Sequence, residues 1–402
     1  MVLRFSYIAV LVFTLALQGY PAIAGFTQLV GIDNTPVSLA MRSFIVALSL
    51  LLLLNRPSVD FSGAHGIVVT ALLAFWAAYF FRLLLASALE PSQLVNGASY
   101  YWMWAVGSCF TPMLAIIVST GWFRVGSNQA FRATILIVTA ATAFIYLSVA
   151  INGVNALLAN GRLQLTALNP ITLGHTGAIF ALLGVFITFR PNRMRDAPLI
   201  VAAGMSMLAL GAVIVLGSGS RGAQIGSAVA LLFFMSAQPI KRKLRMIAIL
   251  LFVALALAPS MLEFIANAGM SSLERIDDAL VGDDAALTGR LAAYDGAWSV
   301  FSESPVFGKS ITEPVTGTYP HNIVLEALMA TGVAGGVPLL VALLGGVYLG
   351  WRMLRRNSPS SWLAMLYVES LTGAMFSGAI YSVAPVWVSL AGLIALSQSR
   401  AE

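Results

Sequence analysis

Charge is what this chain has least of. Only 9% of its 402 residues are Asp, Glu, Lys or Arg, and 59% are hydrophobic. An ordinary soluble domain carries about 25% charged residues. So few charges cannot cover a water-soluble surface, which predicts a polytopic membrane protein and excludes a soluble enzyme or binding module. Cysteine is almost missing too. Cys109 stands alone in an apolar run, so no internal disulfide can form and the redox compartment stays open. Three histidines occur, with no HxxxH or HxxE pair and no DxD in the loops expected outside, so no metal is expected. Asp277-Asp278 and Asp283-Asp284 could hold a divalent cation, although a solvated surface is the default for them. Walker and dinucleotide motifs are absent, which argues against nucleotide-driven chemistry. The net charge of +6 comes from short basic clusters between apolar runs, not from a nucleic-acid-binding patch.

What the chain has is apolar runs near the roughly 20 residues that cross a bilayer as helix. They fall near 5–24, 37–54, 65–86, 101–121, 132–150, 171–189, 198–217, 222–237, 246–265, 333–351, 361–378 and 381–397. The expectation is an all-α protein of about twelve transmembrane helices forming a single transmembrane domain over 1–402. Arg4, Phe5–Leu17 and Ala22-Ile23-Ala24 resemble a signal peptide, but so many spans follow that an uncleaved first helix is the simpler expectation.

Fifteen of the 22 basic residues fall on one side of such a topology, among them Arg124, Arg132, Lys241, Arg352 and Arg355. The positive-inside rule makes that side cytoplasmic, with both termini there. Arg42, Arg82, Arg162, Arg221, Arg275, Arg290 and Lys309 then lie against the rule, in the outer half or the outer loops. Each needs its own reason.

One polar segment stands out, the 266–332 loop between the ninth and tenth spans. Water and irregular backbone can meet a membrane-bound substrate in such a loop. Arg290 opens an amphipathic stretch, Leu291–Phe301, expected to lie along the membrane as a surface helix. Pro320 cannot continue a helix, so His321-Asn322 is expected to begin one. His321 then sits at the outer mouth of the bundle, either as a polar cap or as a general base titrating near neutrality. His175 is a second candidate. Arg221, in Gly217-Ser218-Gly219-Ser220-Arg221-Gly222, reads either as a snorkelling anchor or as an anion ligand at a tight turn. Arg82 and Arg42, within spans, cost about 2.5–3.5 kcal/mol each to insert and face either the headgroups or an internal anion.

The order of these motifs is Ser220-Arg221-Gly222, Thr288-Gly289-Arg290, Ser304-Pro305-Val306-Phe307-Gly308, His321-Asn322 and Gly332-Val333-Ala334-Gly335. It resembles the O-antigen ligase and O-antigen polymerase superfamily of bacterial inner-membrane glycosyltransferases. Lys309 departs from it, standing where the family often has a second glycine. The resemblance implies a C-type glycosyltransferase-like fold and a metal-independent, inverting transfer. The donor would be a glycan on undecaprenyl diphosphate and the acceptor a lipid A-core hydroxyl, both in the outer leaflet, facing the periplasm. His321 would be the base. Arg221, Arg290 and Arg82 would bind the diphosphate, with Asn322, Arg42 and His175 in support. A polymerase using a second lipid-linked glycan as acceptor is the neighbouring reading. A secondary transporter or flippase is the reading from another class, although no inverted repeat of Gly/Pro-broken helices appears.

Overall fold

The computed structural model describes residues 2–55, 61–159, 161–189, 198–268 and 285–397. Lipid offers the backbone no hydrogen-bond partners, so a spanning chain must close its bonds within helices. The described residues are helical almost throughout. In chain order the helices are α1 (Val2–Val30), α2 (Asn34–Leu54), α3 (Gly63–Leu89), α4 (Ala98–Val118), short α5 (Thr120–Val125), α6 (Ser127–Asn152) and α7 (Pro170–Phe189). Then come α8 (Pro198–Ser218), α9 (Arg221–Ser236), α10 (Ile240–Ala268), α11 (Ala285–Glu303), α12 (Ile323–Arg355), α13 (Trp362–Ser377) and α14 (Ala384–Ser397). A two-residue hairpin, β1 (Leu158–Ala159) with β2 (Arg162–Leu163), lies between α6 and α7.

Each of the twelve expected spans coincides with one of these helices. Eight are long and apolar enough to cross a membrane by length and composition: α1, α2, α3, α4, α6, α7, α8 and α12. The chain is an all-α polytopic membrane protein. Helices α7 and α8 pack backbone to backbone: a Cβ on Gly184 would lie 2.5 Å from the Gly204 carbonyl, and one on Gly211 2.5 Å from that of Gly177. Small residues at such contacts gain van der Waals packing that lipid cannot supply.

The tenth span differs from expectation. The helix expected to begin at His321-Asn322 starts at Ile323 and is continuous with the span expected from 333, breaking at Gly332 (φ 58°) before continuing to Arg355. The break frees the amides of Val333 and Ala334. They donate to the carbonyls of Pro305 (2.8 Å) and Val306 (3.0 Å), while the Lys309 amide donates to Met329 O (2.9 Å). Gly308 (φ 68°) lies so close that a Cβ there would fall 2.3 Å from the Ala330 carbonyl carbon. The segment after α11 is thus bolted to the kink of α12. Lys309 needs no left-handed backbone here and bonds Glu303 at 2.6 Å, so the missing second glycine is accommodated.

Helix α11 is also longer than expected. It runs from Ala285, so Arg290 lies beyond its first turn. Arg56, Arg190, Arg193, Arg195, Arg275, Arg400 and the acids at 274–284 lie outside the described residues.

Candidate active site

Gly219 takes a left-handed conformation (φ 57°) that ends α8 and lets the chain reverse. Ser220 then caps α9, its hydroxyl accepting from the Ala223 amide at 3.4 Å, and Arg221 becomes the first residue of the new helix. The turn forms one wall of a pocket of about 290 Å³, part of it open solvent, lined by Arg162, Ile171, Gly219, Ser220, Arg221, Gly222, Arg290 and Ser377. Three arginines from three separate elements therefore share one concavity at the N-terminus of a helix, where amides and dipole also favour an anion. Arg162 is steered there by a bond from its Nε to Ser218 O (3.0 Å).

Arg290 faces two ways. Its charge also reaches His321 and Tyr319. His321 stands just before α12 in a left-handed conformation (φ 57°), a strain that non-glycine residues take up rarely and often at functional sites. Its ring packs on Tyr319 with centroids 4.5 Å apart, and its Nδ1 is enclosed with no hydrogen-bond partner. Burial first, and then the Arg290 charge, pull the imidazole below its ordinary value, against a smaller opposing effect of Glu313. The ring is therefore neutral at neutral pH, the form that accepts a proton. Asn322 caps α12, its Oδ1 accepting from the amides of Val324 and Leu325 at 3.1 Å. Buried Glu313 ties the loop before it by accepting from the amides of Val315 (2.6 Å) and Thr316 (2.8 Å).

His175 lies one helical turn beneath the pocket. Its Nδ1 is 2.5 Å from Oε1 of Glu369 on α13, a carboxylate with no exposed side-chain surface. The depth follows from the helix repeat. Ile171, Gly222 and Ser377 line the pocket, and the residues four positions inward are His175, Gly226 and Gly373. Gly226 abuts Glu369 and Gly373 abuts the His175 ring.

Of the expected site residues only Arg221 and Arg290 line the pocket; His321, Asn322 and His175 do not, and Arg82 and Arg42 are engaged in contacts of their own. Arg82 is buried and pairs through Nη2 with Glu90 (2.5 Å) and Gln93 (3.2 Å). Gln93 in turn accepts from the hydroxyls of Ser310 (3.0 Å, at Oε1) and Thr312 (2.8 Å, at its carbonyl). Arg82 thereby fastens the loop ahead of His321 to α3. Arg42 lies over the rings of Trp104 (3.8 Å) and Tyr20 (5.1 Å) and donates to Ser108 Oγ (3.3 Å).

Sequence reading gave no role to Glu369, Glu326 or Tyr319. Glu326, one turn into α12, is fully buried; one oxygen accepts from the Ile380 amide (2.9 Å) and the other has no partner. The signal was present: a lone acid in an apolar run is costly and marks a functional position. Among the described residues no group of three or more His, Cys, Asp or Glu could hold a metal ion.

A bundle of apolar helices in which Arg162, Arg221 and Arg290 line one cleft defines an all-α polytopic membrane protein. Residues 206–340, which include Arg221, Arg290 and His321, match the family model described as O-antigen ligase. That match supports the O-antigen ligase and polymerase superfamily for this chain. No curated protein matches the chain in a sequence search.

Proposed function

We propose that this chain is an O-antigen ligase. It transfers a glycan from undecaprenyl diphosphate to a lipid A-core hydroxyl at the periplasmic face of the bacterial inner membrane. The observation that carries this reading is the convergence of Arg162, Arg221 and Arg290 on one pocket, with the Arg290 charge also reaching His321. Guanidinium forks and helix amides suit the oxygens of a diphosphate. The 266–332 segment is the outer loop, both termini are cytoplasmic, and the pocket meets headgroups from the outer leaflet.

In this mechanism the acceptor oxygen attacks the anomeric carbon as the bond to the diphosphate oxygen breaks. The bonding pair leaves with undecaprenyl diphosphate, whose charge Arg221 and Arg290 stabilise. The hydroxyl proton passes to Nε2 of His321 in the transition state. A sugar hydroxyl is too weak an acid for prior deprotonation, and such assistance contributes roughly 10²–10⁴-fold. Attack opposite the leaving group inverts the anomeric centre. No metal enters this scheme, and Asn322 holds His321 at the helix mouth. Arg82, already paired, acts by fixing the loop that carries His321.

The test is reconstitution of purified protein with lipid-linked glycan and rough lipopolysaccharide in EDTA. A ladder on the lipopolysaccharide supports the ligase. Growth of glycan on the lipid carrier alone would make the chain a polymerase, and uptake of tracer without transfer would make it a transporter.

A further inference from the structure

A line of aromatic rings leads away from His321, and none of its members lines the arginine pocket. His321 packs on Tyr319 (4.5 Å), Tyr319 meets Tyr381 (6.1 Å), Tyr381 meets Tyr100 (6.1 Å) and Tyr100 meets Trp104 (5.9 Å). The line ends at Arg42, 3.8 Å over the Trp104 ring. Its members come from α2, α4 and two loops. They are held in register by a π-helical stretch of α4, Met103–Phe110, where Ser108 Oγ accepts from Arg42 and Cys109 Sγ bonds Tyr381 O at 3.1 Å. Helical irregularities of this kind recur at functional sites.

Ordinary core packing does not account for the polar atoms of this wall. Tyr20 donates to Ala167 O (2.7 Å), Tyr146 to Leu210 O (2.8 Å) and Tyr367 to Leu343 O (2.8 Å), while the enclosed hydroxyl of Tyr79 in α3 has no partner. The hydroxyls of Tyr100, Tyr319 and Tyr381 make no hydrogen bond within the described residues, and Trp104 Nε1 is buried without a partner. Arg82 has its glutamate, but Arg42 pairs with no carboxylate among the described residues. Beyond its bond to Ser108, this guanidinium, held over a ring, has further N–H donors to offer an anion.

We propose that this wall is the acceptor subsite. Its ring faces stack a carbohydrate, its tyrosine hydroxyls pair with sugar hydroxyls, and Arg42 with Trp104 Nε1–H binds an anionic substituent, phosphate or carboxylate, on that glycan. The proposal rests on the transfer reading above, because it places His321 between a donor pocket and an acceptor wall.

The test uses the full-length protein in detergent and rough lipopolysaccharide as the probe, read both as direct binding and as acceptor KM. Arg42→Gln should weaken binding and raise acceptor KM by about 10–100-fold, the range for a hydrogen bond to a charged group. Donor KM should stay unchanged, and Arg42→Lys should recover part of the loss. Tyr100→Phe and Tyr381→Phe remove hydroxyls that have no protein partner, so they leave the fold intact and should each weaken acceptor binding several-fold. Enzymatic dephosphorylation of the glycolipid separates the two anions. Binding to wild type that drops to the Arg42→Gln level assigns phosphate; binding that persists in wild type but not in Arg42→Gln assigns carboxylate. Wild-type acceptor binding in Arg42→Gln and in both phenylalanine variants would overturn the proposal. If the binding differences appear but no glycan is transferred, the subsite stands and the ligase reading fails.

Discussion

His175 on α7 and Glu369 on α13 meet at 2.5 Å, directly beneath the pocket that Arg221 enters from α9. The pair fastens two helices to each other at the level where the third begins. Two buried polar groups this close stabilise only while both are present, because removing one leaves the other without a partner.

Glu369→Ala should therefore lower stability by about 1–3 kcal/mol, the usual penalty for an orphaned buried group. Thermal unfolding in detergent measures it. Transfer should fall as well, and Gly373→Ala, which would place a Cβ 2.2 Å from His175 Cε1 and push the ring aside, should also lower transfer with Glu369 intact. Wild-type transfer in both variants would show that the pair has no influence on the pocket above it.

The pH dependence of transfer has a definite sign. The base works in its neutral form, and His321 is held below the ordinary imidazole value by burial and Arg290. At about pH 6.5, where a free imidazole is half protonated, the rate should still exceed half its plateau, with the midpoint of the fall at more acidic pH. Arg290→Ala removes one of the two depressing influences. Its residual activity should show an acid limb displaced upward. A limb that moved downward would contradict the placement of Arg290 beside the ring.

Arg82 and Glu90 should behave as one unit. Arg82→Ala and Glu90→Ala each release the Gln93–Ser310–Thr312 contacts, so the double variant should lose little more stability than either single one. Unfolding midpoints of the three proteins measure the coupling. Fully additive losses would mean that Arg82 acts elsewhere.

The interlock behind His321 is steric. Gly308→Ala and Gly332→Ala each require a left-handed alanine and a Cβ within 2.3 Å of backbone carbon, and should lower stability by at least about 1–3 kcal/mol. Lys309→Gly should be tolerated, because the Lys309 backbone already fits the turn.

Much of this architecture was legible in the sequence because lipid imposes its own grammar. Apolar run length set the spans, and Pro320 marked the start of α12 at Asn322. The Gly219-Ser220 turn ahead of Arg221 could be read from residue type alone. Pairings that depend on how helices rotate against each other could not. Nothing local says that His175 will find Glu369, 194 positions away, or that Arg82 will turn to Glu90 instead of the pocket. Arg162 was recognisable as a cation on the wrong side, but only the hairpin and its bond to Ser218 bring it to Arg221. What was hidden is that this helix continues into the span expected from 333, because Ile323–Thr331 and the span beyond join only across the Gly332 break.

The most direct measurement is the rate of glycan transfer to rough lipopolysaccharide by purified His321→Ala, alongside wild type, with the unfolding midpoint recorded for both. With the midpoint preserved, transfer should fall by about 10²–10⁴-fold. A folded His321→Ala protein that transfers at the wild-type rate would contradict the role assigned to the imidazole.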